Sequence, residues 1–228
     1  MTESKDAQLF DDWPDRYEKW FTTPIGSLVK RVEWELILDF LRPDPGDFIL
    51  DAGCGTGIFT LDMLSCGARV VGLDLSLSMI RRAGEKARGS RLRILSADIL
   101  YLPFPENTFD KTVSITALEF IPDGQKAVEE LFRVTRRGGT VVVATLNSLS
   151  PWAERRREEA KRGHDLFSKA LFRSPEDLVA LGHGRGVFRT AVHFRKEEDP
   201  ERGARIEEES QRKGLNTGAF LAVRWFKP

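Results

Sequence analysis

The sequence predicts an α/β fold in which helices cover both faces of a parallel sheet. Three observations predict it. Short apolar runs recur along the chain, among them Phe48-Ile49-Leu50, Val70-Val71-Gly72-Leu73 and residues 140–146, each the length of a buried strand. Stretches with helical spacing or start signals separate them, and such alternation builds parallel sheets. A glycine-rich turn, Asp51-Ala52-Gly53-Cys54-Gly55-Thr56-Gly57, joins the first run to the first of the interleaved helices.

The elements follow in order. Residues 9–41 read as helical, broken at Thr23-Pro24-Ile25-Gly26, where proline restricts its predecessor and removes a donor. Leu28, Val32, Leu36 and Phe40 recur at helical spacing after the break. Pro43-Asp44-Pro45-Gly46 is a turn. A strand over 48–52, a helix over 57–65 and a strand over 69–74 come next. A helix over 76–87 starts at the N-cap Ser76. Strands are expected over 92–96 and, after the turn Pro105-Glu106-Asn107, over 110–116. A helix over 123–135 stops at Arg136-Arg137-Gly138-Gly139, before the strand 140–146. Residues 151–173 are highly charged and read as helical. Ser174 before Pro175 opens a short helix over 175–181. Strands are read over 186–194 and 219–226, and the charged interval 195–217 reads as a loop or short exposed helix.

The chain has 228 residues, 41% of them aliphatic, aromatic or cysteine, and a formal net charge of zero. That length suits one domain with a substantial core. The charge balance argues weakly against bulk binding to nucleic acid, which favours a basic domain. No apolar run approaches the ~18 residues needed to span a bilayer, and residues 1–9 lack a signal pattern. Cys54 and Cys66 form no metal spacing and read as free thiols, which points to the cytoplasm. No metal site is expected, since His164, His183 and His193 are scattered.

The turn carries the functional information. A strand, a glycine-rich turn and a helix let backbone approach a ligand closely. Asp74 ends the next apolar run, ~20 residues on, where a carboxylate takes ribose hydroxyls. The spacing is G-x-G-x-G, with Ile58 where a dinucleotide fingerprint needs its third glycine, and no lysine follows Gly57 to make a phosphate loop. A nucleoside ligand without pyrophosphate fits this pattern better.

On Asp51, Gly53, Gly55 and Gly57 the chain resembles the class I S-adenosylmethionine-dependent methyltransferases, and it is similar to their small-molecule, quinone-biosynthesis-like group. The resemblance is strong over 42–146 and weaker over 184–226. It implies a Rossmann-like, mostly parallel sheet of seven strands, closed by a C-terminal antiparallel hairpin. It also divides the single domain into an N-terminal helical cover (9–41), a cofactor core (42–146), an acceptor-side helical segment (147–183) and C-terminal strands (184–228). The implied cofactor is S-adenosyl-L-methionine, with S-adenosyl-L-homocysteine as product. Gly53, Gly55 and Gly57 would pass beneath its methionine portion. Asp51 would orient its ammonium, Asp74 would accept the ribose hydroxyls, and Asp98 would take the adenine amino group. Leu75 and Ile99 would sandwich the ring, and Thr116 would face the crevice. The bland alternatives are a tight turn for the glycines, a solvated strand end for Asp74 and a helix cap for Asp98.

The acceptor would lie under residues 10–25 and 147–172. Tyr17, Trp20 and Phe21 share one helical face; they read as a packing stripe first and as a lid second. Glu119, His164 and Tyr17 are the catalytic candidates, and no dyad stands out. Glu119 reads as a solvated loop carboxylate or a general base. Arg155-Arg156-Arg157 is interleaved with Glu154, Glu158 and Glu159, so it reads as a solvated helix with i,i+4 pairs before an anion site. The expected activity is methyl transfer to a small-molecule acceptor by a monomer or homodimer. The alternatives are a non-catalytic cofactor-binding protein, a nicotinamide-dependent oxidoreductase and an RNA methyltransferase.

Overall fold

The computed structural model describes residues 13–88, 90, 92–162 and 165–228, without the side chains of 165 and 166. Two helices come first, α1 (Pro14–Thr22) and α2 (Pro24–Leu41). Thr23 separates them with extended backbone, and its hydroxyl accepts the Gly26 amide at 3.1 Å. The break lies where Pro24 places it. The core then alternates: β1 (Phe48–Ala52), α3 (Ile58–Ser65), β2 (Arg69–Asp74), α4 (Leu77–Lys86), β3 (Arg93–Ser96), β4 (Phe109–Ile115), α5 (Gly124–Val134) and β5 (Thr135–Leu146). Three helices follow, α6 (Pro151–Lys161), α7 (Asp165–Ser168) and α8 (Pro175–Ala180). β6 (Val187–Ala191), α9 (Pro200–Arg212) and β7 (Phe220–Phe226) complete the chain.

The strand order is β3-β2-β1-β4-β5-β7-β6. β1 to β5 pair in parallel, whereas β7 runs antiparallel to both β5 and β6. This is the Rossmann-like seven-stranded sheet with a closing antiparallel hairpin that the sequence predicts. From β1 the chain winds outward to β3 and then returns to β4 on the other side. The carboxyl ends of β1 and β4 therefore flank a switch point, where such sheets bind ligands.

Alternate residues of each inner strand face opposite cores. On one face, Ile49, Val113, Val142, Ala144, Phe220 and Ala222 pack against α2 and α3 through Leu36, Ile37, Phe40, Phe59 and Met63. On the other, Leu50, Val71, Val141, Val143, Leu221 and Trp225 meet α5 and α8 through Ala127, Leu131 and Leu178.

Two expectations need correction. Arg136-Arg137-Gly138-Gly139 does not stop α5. The helix ends at Val134, and these four residues lie within β5. Their extra length is absorbed as a register shift against Phe109 and Lys111, with Gly138 at φ 71°, so the glycines serve an irregular strand. The interval 195–217 is not a loop or a short exposed helix, because it contains the thirteen-residue α9. Asp199 caps this helix and Gly203 packs it against Leu28 and Phe194. Among the described residues no helix is long and apolar enough to cross a membrane.

Candidate active site

Parallel strands bring their carboxyl ends to one edge of the sheet, so Asp74 and Asp51, at the ends of β2 and β1, stand beside Asp98 and Thr116, which follow β3 and β4. A cavity of about 770 Å³ opens there. Its walls include Asp51, Gly53, Gly55, Asp74, Leu75, Asp98, Ile99 and Thr116.

The turn is anchored before any ligand arrives. The Gly53 and Cys54 amides both donate to Leu73 O, at 2.7 and 2.9 Å. Gly53, Gly55 and Gly57 take φ values of 82°, 53° and 78°, a region costly for any residue with a Cβ. Their surroundings differ. A Cβ on Gly53 would collide with Ala117 Cβ, whereas one on Gly55 would meet nothing within 4 Å. Gly55 thus leaves an open cradle on the cavity side. Gly57 is not a wall of the cavity; it is the N-cap of α3 and packs toward Ala83.

Asp51 is 2% exposed. Its Oδ2 accepts the Thr60 hydroxyl at 2.6 Å, and its Oδ1 is buried without a donor among the described residues. Burial, with Asp74 nearby, pushes the carboxyl up to about 7. A buried acceptor without a donor is costly, and a donor or cation entering the cavity would satisfy it. Asp74 Oδ2 accepts the Gly55 amide at 2.8 Å, and Oδ1 accepts the Ser76 amide at 2.9 Å. Both oxygens are thus engaged by backbone, and the Leu75 amide acts on the carboxylate as well, which the sequence reading did not foresee. Burial raises this carboxyl too, against those bonds. Asp98 Oδ1 caps the turn Ile99–Tyr101 through the Leu100 amide at 2.9 Å, as the bland reading had it. These residues fit a ligand with a cationic amine, a ribose and an adenine.

The opposite wall comes from α1, α2, α6 and the segment after β4. Tyr17, Trp20 and Phe21 both pack and line the cavity. Phe21 packs edge-on against Phe59 and Trp20 against Trp152, while all three line the cavity. Ion pairs from Glu18 to Lys86 (2.6 Å) and Arg82 (3.5 Å) tie α1 to α4. Tyr17 meets the side chain of Thr116, which stands at φ 49°. Burial and the neighbouring acids Glu33, Glu119 and Asp51 raise its phenol. Glu119 is not solvated: it is 1% exposed and accepts the Thr145 hydroxyl at 2.9 Å, and burial raises its carboxyl to about 7. His164 lies outside the described residues.

Two wall residues were missed. Glu33 lines the cavity at 8% exposure, and burial raises it to about 8. The signal was present, because Glu33 interrupts the apolar face that carries Val29 and Ile37 four residues to either side. Arg156 belongs to the run read as a solvated helix. That reading holds for Arg155, which pairs with Glu159 at 2.8 Å, and fails for Arg156. The Arg156 guanidinium lies over Trp152 and Phe167, and its Nη1 is buried without a partner among the described residues. Trp152, four residues before it, was the only local hint. Among the described residues no group of three or more His, Cys, Asp or Glu could hold a metal.

The family described as "Methyltransferase domain" matches residues 50–143. The chain is 33% identical to the demethylmenaquinone methyltransferase of Renibacterium salmoninarum over 60% of its own length and 57% of that protein. With the enzyme of the same name from Streptomyces avermitilis it shares 32% identity over 77% of this chain and 75% of that one. The chain thus spans 57–61% of the length of the first three curated relatives it matches. A solved structure of a SAM-dependent methyltransferase from Thermotoga maritima superposes with a TM-score of 0.73, at 21% identity, covering 98% of this chain and all of that one. At that identity the likeness concerns the fold.

Proposed function

This chain belongs to the class I S-adenosylmethionine-dependent methyltransferases, and on that premise we propose that it transfers the methyl group of S-adenosylmethionine to a small-molecule acceptor. One observation carries the proposal: Asp51, Asp74 and Asp98, at three successive strand ends, line one cavity, and Asp51 Oδ1 lacks a donor there.

When bound, the cofactor supplies an electrophilic methyl on a sulfonium, so the acceptor's electron pair forms the new bond as the C–S pair returns to sulfur. The residues of the chain hold and align. Asp51 Oδ1 takes the ammonium of the methionine portion. Gly53 and Gly55 admit it against bare backbone. Asp74 takes the ribose hydroxyls, and Asp98 takes the adenine amino group between Leu75 and Ile99. Thr116 holds Tyr17 over the place where cofactor and acceptor meet. Alignment of this kind can supply up to ~7–11 kcal/mol of the barrier reduction, which suits a site without a catalytic dyad.

Relatives named for demethylmenaquinone support a small acceptor. The balanced charge supports metabolites over nucleic acid, and the free Cys54 and Cys66 support a cytoplasmic setting. The test is calorimetry with S-adenosylhomocysteine, followed by incubation with methyl-labelled S-adenosylmethionine and a metabolite pool. Saturable binding and label transfer to a small molecule are expected. Absence of binding overturns the site, and binding without transfer to any acceptor favours a non-catalytic cofactor-binding protein.

A further inference from the structure

Besides the three aspartates, the cavity is lined by charged residues that have no part in the cofactor reading. Glu33 from α2, Glu119 after β4 and Arg156 from α6 face one another there. Glu33 makes no hydrogen bond or ion pair among the described residues, although it is 8% exposed. Among the described residues Arg156 is equally short of partners. Neither acid lies within ion-pair distance of it, and its Nη1 is buried with no acceptor. The guanidinium is held instead by aromatic faces, 5.2 Å from the Trp152 ring centre and 5.3 Å from that of Phe167.

The electrostatics of these residues choose a ligand charge. Burial holds Glu33 at about 8 and Glu119 at about 7, so near neutral pH the guanidinium is only partly balanced. Arg173, the other cation acting on Glu119, is spent on the carbonyls of Leu118 and Ile121. Lys196 adds positive charge at the rim, 5.0 Å from the ring centre of Trp20. A cationic acceptor would find the aromatic faces already occupied by Arg156 and Lys196, and would be repelled by both. A neutral acceptor without a strong hydrogen-bond acceptor would leave Nη1 unsatisfied. An oxyanion would satisfy it with a charge-assisted bond, and the protonated Glu33 could donate to the same group.

We infer that the acceptor is an anion whose carboxylate, phenolate or enolate oxygen binds Arg156 Nη1 beside Glu33. The inference rests on the methyl-transfer reading of the same cavity, but it concerns only the acceptor. Lining by Trp20 and Trp152 makes intrinsic fluorescence a suitable readout.

Benzoate, benzamide and benzylamine have one shape and three charges. Each is titrated into the full chain, alone and again with saturating S-adenosylhomocysteine, following tryptophan fluorescence. Benzoate is expected to bind at least tenfold more tightly than the other two. In Arg156→Gln that preference should vanish, while affinity for S-adenosylhomocysteine stays within twofold. Should Arg156→Gln fold poorly, Arg156→Lys is used, and a reduced but surviving preference for benzoate is expected. Tighter binding of benzylamine, no preference among the three probes, or a full preference persisting without the guanidinium would overturn the inference. Failure to bind S-adenosylhomocysteine while the benzoate preference holds would sink the methyl-transfer reading and leave the anion site standing.

Discussion

The Gly55 amide donates to Asp74 Oδ2 across 2.8 Å, so the turn after β1 is fastened to the last residue of β2. The same carboxylate accepts the Ser76 amide through its other oxygen. Asp74 therefore shapes the cradle that it also lines. Asp74→Ala should weaken S-adenosylhomocysteine binding ten- to a hundredfold by calorimetry. That corresponds to about 1.5–3 kcal/mol for bonds to a charged group. Asp74→Asn keeps one acceptor oxygen and should fall between the two. An unchanged Kd in Asp74→Ala would remove this residue from the site.

Gly53 and Gly55 share a left-handed backbone but should fail for different reasons when substituted. Gly53→Ala drives its methyl into Ala117, between the turn and the segment after β4. It should lower Tm clearly, through backbone strain of about 1–3 kcal/mol with overpacking added. Gly55→Ala meets nothing within 4 Å, so only the backbone strain remains and Tm should fall less. Its methyl would project into open space at the cavity wall, and S-adenosylhomocysteine binding should drop by tenfold or more. Thermal melts with and without the ligand separate the two. Equal melting losses, or full ligand affinity in Gly55→Ala, would show that the turn is not a cradle.

What was legible in the sequence followed from local rules. Inner parallel strands are apolar throughout because both faces are covered, so β1, β2 and β4 were bounded to within a residue or so. Ser76 and Ser174 accept the Met79 and Asp177 amides, as N-caps should. The rest depended on contacts distant in sequence. A Gly-Gly pair after a helix reads as a stop, and only the pairing of β5 with β4 and β7 shows why it stays in a strand. α9 has a start signal in Asp199-Pro200, but its polar surface hid a face on which Glu207 accepts the His193 amide at 2.7 Å. Arg156 lies in a run of alternating charges, and beyond Trp152 nothing local says that one member of the run will pack against Phe167 of α7. Glu33 is the exception, because a lone acid within an apolar stripe could have been flagged without any structure.

The buried acids set a pH dependence of stability. A carboxyl whose folded-state pKa exceeds its unfolded value holds its proton more tightly when folded. Its contribution is complete below the unfolded value, about 4–4.5, and is lost as pH rises through the folded one. Glu33 at about 8, and Asp51 and Glu119 at about 7, all act in this direction because burial disfavours their charged forms. The ligand-free protein should therefore lose Tm steadily between about pH 5 and 8. Glu130, Asp177, Glu207 and Glu209, whose pKa values are lowered, act only on the acid side of that window. Glu33→Gln carries no titrating proton, so its melting curve should flatten and cross above that of the parent near pH 8. Each kcal/mol recovered there is worth roughly 2–4 °C. Parallel Tm profiles for the two proteins would show that Glu33 does not titrate in this window.

The segment between Asp98 and β4 is held from below by a clamp, and a double-mutant cycle should expose it. Glu130 Oε2 accepts the Leu102 amide at 2.9 Å, while Arg133 donates to Leu102 O at 2.9 Å and to Phe104 O at 2.7 Å. The two side chains also bind each other, through Arg133 Nε and Nη2, both at 2.8 Å. Each partner is thus fixed by the other while it holds backbone. Arg133→Ala strands two carbonyls and leaves Glu130, 6% exposed, with the Leu102 amide and a 3.5 Å ion pair to Lys126, at a cost of about 2–3 kcal/mol. Glu130→Ala strands the Leu102 amide at a similar cost. Because each single change already spoils the other's role, the double variant should lose about 1–2 kcal/mol less than the two losses added. Denaturant unfolding of the four proteins measures this directly. S-adenosylhomocysteine binding should weaken only modestly in Arg133→Ala, since the residue shapes the segment that begins at Asp98 without itself lining the cavity. Losses that add within about 0.5 kcal/mol would mean that the two residues act independently and that no clamp exists.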